Sequence, residues 1–194
     1  MTLALISPGH LQRSEAEACA RTVFLQAYGA KLREFPHLLA AWQTTSGRIT
    51  AVTGLRTSAS GFFSECYLSA PVESVLGRLA TAPVERGRIL EFSMLASTDP
   101  NAAIALIAAL RINALHWGFS WAFFTATSQL RTLLRRQGIV LTELAVADRR
   151  FAPNPVDWGE YYQTDPIVCA VPRARTTSRR LAGRQSGLVS PMVA

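Results

Sequence analysis

Apolar positions at helical spacing mark the first clear element. Over residues 13–31, Ala18, Ala20, Val23, Phe24 and Ala27 fall along one face, Glu15 and Glu17 sit at the positive end, and Ser14 is placed to cap it. Residues 37–44 and 48–56 then read as a hairpin turned by Thr45-Ser46-Gly47, and 59–63 as a glycine-containing loop. Val72, Val75, Leu76 and Leu79 give residues 71–80 a one-sided helical pattern. Residues 88–97 are apolar at both parities, the pattern of a strand buried on its two faces.

The sharpest local signal follows. Asp99 is placed to cap a helix whose first position is Pro100. Ala103, Leu106, Ile107, Leu110, Ala114 and Trp117 form its stripe, and Gly118 ends it. Residues 119–125 read as a buried strand, 128–137 as a short basic helix stopped by Gly138, and 139–147 and 167–171 as further strands. The order over 88–147 is strand, helix, strand, helix, strand. That succession predicts a single α/β (α+β) domain whose mixed central sheet is flanked by helices, with 88–97 and 119–125 as adjacent parallel strands near its centre.

Charge changes this picture only at one end. The net charge is +7, but Arg173, Arg175, Arg179, Arg180 and Arg184 follow Pro172 with no acidic residue among them, and without these five the remainder carries +2. The reading is therefore a domain over 1–172 and a basic, disordered tail over 173–194, suited to peripheral contact with an anionic membrane or an acidic protein rather than to specific nucleic-acid binding. The longest apolar run, residues 102–110, has nine residues, against about 20 for a bilayer-spanning helix. The first ten residues lack a basic start and a cleavage signal. Cys19, Cys66 and Cys169 are widely spaced and odd in number, which suits a reducing cytoplasm and gives no metal site.

Candidate chemistry centres on Glu91. Period-two alternation puts Ile89, Glu91, Ser93 and Leu95 on one face of the strand and Leu90, Phe92, Met94 and Ala96 on the other. A carboxylate among apolar neighbours must find partners or shift its pKa upward. It is either a general base or half of an ion pair with Arg56, Arg86 or Arg88. Glu65 is a second acidic candidate, and the alternative for it is a loop carboxylate facing water. Trp158, Tyr161 and Tyr162 crowd large amphipathic rings into five positions, which fits either the wall of a groove or an aromatic corner packing the last strand. The loop 97–101 has no glycine and Asp99 occupies the helix start, so a tightly held pyrophosphate is disfavoured there.

The ordered set Gly54-Leu55-Arg56, Phe63-Ser64-Glu65-Cys66-Tyr67-Leu68, Pro71-Val72-Glu73, Glu91-Phe92-Ser93-Met94-Leu95-Ala96-Ser97, Phe124-Thr125-Ala126-Thr127, Ala145-Val146-Ala147-Asp148 and Trp158-Gly159-Glu160-Tyr161-Tyr162 resembles the bacterial thermostable hemolysin family over residues 21–173. The resemblance implies a fold of the GNAT acyltransferase type. Glu91-Phe92-Ser93-Met94 is also similar to the Glu-x-Ser-Arg motif of acyl-homoserine-lactone synthases, with Met94 where those carry arginine. The glycine-rich acetyl-CoA loop of GNAT enzymes is missing.

What the resemblance implies is an acyltransferase with no tightly bound cofactor. A coenzyme A or acyl-carrier-protein thioester would be its co-substrate, and a small amine or hydroxyl the acceptor. Glu91, Ser93 and Glu65 would be catalytic. Tyr67, Phe63, Trp158, Tyr161, Tyr162 and Arg56 would line the acceptor groove, and Leu95, Ala96, Asn101, Thr125 and Arg131 would meet the donor. Arg131, Arg135 and Arg136 would steer an acidic carrier protein. The alternatives are a membrane-active protein and a catalytically inactive binding module. A tunnel between strands 88–97 and 119–125, lined by Glu91, distinguishes an enzyme from the filled core of such a module.

Overall fold

The computed structural model describes residues 1–172, so the basic tail lies outside the described residues. Seven strands form one sheet: β1 (Thr2–Ile6), β2 (Leu38–Gln43), β3 (Ile49–Arg56), β4 (Ile89–Ser97), β5 (Trp121–Ala126), β6 (Thr142–Val146) and β7 (Ile167–Pro172). Their order across the sheet is β1-β2-β3-β4-β5-β7-β6. β4 and β5 are neighbours and parallel, as the strand-helix-strand order requires; the other neighbouring pairs are antiparallel. β7 separates β5 from β6, so the second strand-helix-strand unit closes around an inserted strand rather than side by side.

Four helices cover the sheet: α1 (Arg13–Tyr28), α2 (Val72–Ala80), α3 (Pro100–His116) and α4 (Ser128–Arg136). α1 packs Ala16, Ala20 and Phe24 on Ile6, Leu39, Ala41 and Val52. α2 packs Val72 and Leu76 on Ile89 and Phe123 of the same face. α3 covers the opposite face through Ala102, Leu106 and Leu110 against Ala40, Ala51, Leu55 and Leu90.

The starts of α3 and α4 follow local chemistry, whereas α1 and α2 begin without a side-chain cap. The Asp99 carboxylate accepts the Asn101 N–H at 2.9 Å, so the start of α3 caps itself. Thr127 caps α4 through Leu130 at 3.2 Å. Ser14 does not cap α1; the position falls on Gln12, without a side-chain bond, and the helix stops three residues early at Gly29 in the left-handed conformation. β1 has no counterpart among the sequence expectations. It is a five-residue edge strand whose one neighbour is β2.

The irregularity that matters lies in β4. Val52 pairs with Ala96 but Gly54 pairs with Ser93, so Thr53 faces two residues, Met94 and Leu95. Met94 takes φ +44°, and the Thr53 hydroxyl fixes the bulge by donating to the Ser93 carbonyl at 2.8 Å. The extra residue inverts the face alternation. Leu95 joins Leu90 and Phe92 against α3, whereas Ala96 joins the α1 core. The expected grouping of Leu95 with Glu91 and Ser93 is therefore corrected.

Candidate active site

β4 and β5 pair only at Ile89–Trp121, Leu90–Ala122 and Glu91–Phe123. Beyond that point β4 continues to Ser97 and β5 to Ala126 with no ladder between them. The bulge turns β4 aside, and the two strands part. Two cavities meet at the parting. One, of about 810 Å³, opens on the α1 face; the other, of about 400 Å³, lies against α3 and α4. Met94, Leu95, Thr125 and Leu130 line both.

The cavities differ in chemistry. The α3-side space is walled by Phe92, Ile107, Leu110, Leu115, Phe119 and Phe124, and is apolar almost throughout. The α1-side space mixes rings with polar groups: Tyr28, Phe63, Tyr67, Trp158 and Tyr161 stand around Ser64, Ser93, Arg56 and Thr125. Its aromatic wall is continuous. Trp158 lies 5.4 Å from both Phe63 and Tyr161, and Tyr28 meets Tyr161 edge-on at 5.3 Å. Gly159 makes this wall possible. It sits at φ +52°, and a Cβ there would overlap the Tyr28 carbonyl. That carbonyl instead accepts the Glu160 N–H at 2.8 Å, which pins the aromatic segment to the end of α1. The segment is thus both core and wall, with Tyr161 buried against Phe24 and Trp158 facing the cavity.

Glu91 is fully buried. Its two carboxylate oxygens accept the N–H groups of Phe63 at 2.6 Å and Ser64 at 2.7 Å. Burial pushes its pKa up, while the Ser64 hydroxyl, the two amides and the nearby charge of Arg56 hold the rise back. The expected ion pair is not formed; Arg56 lies opposite Glu91 in the ladder, yet its Nε has no acceptor. Glu91 lines neither cavity. It communicates with them through hydroxyls, because Thr125, on the cavity wall, donates to Ser64 Oγ at 2.8 Å.

The other expected residues divide. Phe63, Tyr67, Arg56, Ser93, Leu95, Thr125, Trp158 and Tyr161 gather around the larger cavity. Tyr162 stands one layer behind, its hydroxyl 2.6 Å from that of Tyr67, which burial raises far above the ordinary phenol range. Glu65 does not reach the cavity. Arg86 grips both its oxygens at 2.6 and 2.8 Å, the Val72 N–H adds a bond at 2.9 Å, and the arginine holds its pKa below the usual carboxylate value. Arg131 is likewise committed, buried and donating to the Ala126 carbonyl at 2.8 Å and the Asp165 carboxylate at 2.6 Å. Arg135 binds Glu143 at 2.6 Å, which leaves Arg136 at the cavity rim. Ala96 is core, and the Asn101 amide serves the α3 cap. Sequence reasoning passed over Ser64 and Tyr28: a serine between Phe63 and Glu65 carries no pattern, and Tyr28 looks like an ordinary last-turn residue until the chain folds back upon it.

A sheet whose fourth and fifth strands part around a bulge is a GNAT-like acyltransferase fold. Solved structures agree. An N-acyl amino acid synthase, FeeM, from uncultured soil microbes superimposes with a TM-score of 0.61 at 13% identity, over 90% of this chain and 97% of its own. The AHL synthase LasI does so with 0.59 at 10%, over 89% of both chains. A CoA-dependent acyl-homoserine lactone synthase, MesI, gives 0.51 at 16%, over 90% of both. The thermostable hemolysin family model matches residues 6–177, and the chain belongs to that family. No curated protein matches it in sequence. Among the described residues no helix is long and apolar enough to cross a membrane.

Proposed function

We propose that this protein is an acyltransferase that moves an acyl group from a thioester donor, coenzyme A or a carrier protein, to a small amine. The observation that carries the reading is the two-sided space at the parting of β4 and β5. An apolar cavity on one face suits an acyl chain, and a ring-walled polar cavity on the other suits an acceptor. The thioester carbonyl then lies between them, near Ser93 and Thr125. The unprotonated amine attacks that carbonyl, the C–N bond forms, and the C–S bond breaks to expel a thiolate, which leaves as the thiol once Glu91 returns to it the proton that the amine loses. The proton lost by the amine has a route along Thr125 and Ser64 to Glu91, whose burial favours holding it. Glu91 acts at a distance in this scheme, with the hydroxyls as its contact.

The fold similarity supports acyl transfer as a class, and donor and acceptor belong to the proposal. Lys31 and Arg136 at the rim would favour an anionic donor. The test is an intact-mass screen of acyl-CoA and acyl-carrier-protein donors of graded chain length against an amine library. Acylated product with at least one donor is expected. No product with any donor–acceptor pair, using folded protein, overturns the proposal.

A further inference from the structure

Four arginines among the described residues are held back from full exposure: Arg13, Arg56, Arg86 and Arg131. Three of them grip a carboxylate, at 2.7 Å for Arg13–Glu17, 2.6 Å for Arg86–Glu65 and 2.6 Å for Arg131–Asp165. Arg56 grips none. It lines the larger cavity, and its Nε is closed to water without an acceptor. A half-buried guanidinium that grips no carboxylate carries a desolvation cost that an anion in the cavity would reduce.

A second unmet group stands beside it. Ser93 Oγ is buried without a partner and lines the same cavity. Gly54 pairs with Ser93 and Arg56 with Glu91, so Arg56 and Ser93 project from one face of adjoining strands. Gly54 lets the Pro36 ring and the Ser93 hydroxyl close in on the strand; a Cβ there would overlap Pro36 Cγ and lie 2.5 Å from Ser93 Oγ. Glu91, the nearest acid, is already satisfied by two backbone amides. A planar fork beside a hydroxyl is a fitting cradle for a carboxylate.

The location says which substrate the anion belongs to. Arg56 and Ser93 lie where the strands begin to part, next to the place the thioester carbonyl must occupy. The phosphates of a coenzyme A or carrier donor are a full pantetheine arm away from that carbonyl. Resting on the acyl-transfer reading above, we infer that Arg56, with Ser93 beside it, binds the carboxylate of the acceptor, so that the amine acylated is that of an amino acid.

Paired acceptors test this. With the thioester that the screen finds active, leucine and phenylalanine are compared with isopentylamine and phenethylamine, which lack only the carboxylate. Calorimetry compares N-dodecanoylphenylalanine with N-dodecanoylphenethylamine, a readout independent of turnover. The acids are expected to lead by about ten- to a hundredfold in kcat/KM and in affinity, the range of a charge-assisted pair. Arg56→Gln should collapse both ratios, and Arg56→Lys, which keeps charge without the fork, should restore part of them. Thermal melting of each variant checks that it is folded. Transfer that proceeds equally to acids and amines overturns this inference and leaves the acyltransferase reading standing. A ratio unmoved in Arg56→Gln, with KM raised only for the donor, assigns Arg56 to the thioester and also overturns it. No transfer at all, with equal binding of the two dodecanoyl compounds, removes both readings.

Discussion

Glu91 carries the loop at 62–67 on its two oxygens, and this is what its replacement should reveal. In Glu91→Gln the amide nitrogen must face an N–H donor, at Phe63 or Ser64. The expected cost is about 1–3 kcal/mol of stability, the penalty for an unmet buried group, read as a lowered denaturant midpoint. Transfer should fall by about 10²–10⁴-fold if the hydroxyl route ends on this carboxylate. The pH dependence has a defined sign. Burial raises the folded pKa above the ordinary 4.5, so the folded state binds the proton more tightly. The stability this group contributes is complete below the unfolded value and is lost as pH rises through the folded one. Denaturation of parent and variant between acid and neutral pH should therefore show their difference shrinking as pH climbs. Glu65, held low by Arg86, works the other way, and its contribution is lost as pH falls. That Glu91 is unusual was legible, since a charge inside an apolar strand demands a partner. Which partner was not: every residue has an amide, and nothing in Phe63-Ser64 distinguishes theirs.

At the scale of elements, the bulge in β4 was the least legible feature. Alternation assigned Leu95 to the face of Glu91, and Met94 carries no mark of a residue at positive φ. The ends of α3, by contrast, were written in Asp99-Pro100 and Gly118. Asp99→Ala should cost about 1 kcal/mol, the usual worth of such a cap, in equilibrium unfolding. The attachment of the aromatic segment to α1 is more demanding. Gly159→Ala places a Cβ against the Tyr28 carbonyl at a backbone angle alanine resists, and the loss should exceed about 1 kcal/mol. Because Trp158 and Tyr161 line the cavity from that segment, the same variant should weaken acceptor binding more than donor binding. Equal effects on both KM values would place the acceptor elsewhere.

At the scale of the molecule, the parallel pair β4–β5 and the mixed sheet followed from the order of elements, because a strand-helix-strand run has a strong handed preference. The insertion of β7 did not, since pairing between distant segments leaves no local trace. The apolar half of the site gives a further expectation. Ala122 lines the α3-side cavity, and Ala122→Phe should move the preferred donor toward shorter acyl chains in a length series; an unmoved preference would mean the chain lies elsewhere. The place of β7 has a consequence for biosynthesis. The ribosome delivers β5 and β6 well before the strand that stands between them, and until residues 167–172 emerge, β5 shows a bare ladder and β6 has no neighbour at all. Between the synthesis of Ala126 and that of Pro172 the nascent chain therefore holds a half-sheet with an open flank. How long that flank stays bare is set by how quickly the last strand slots home.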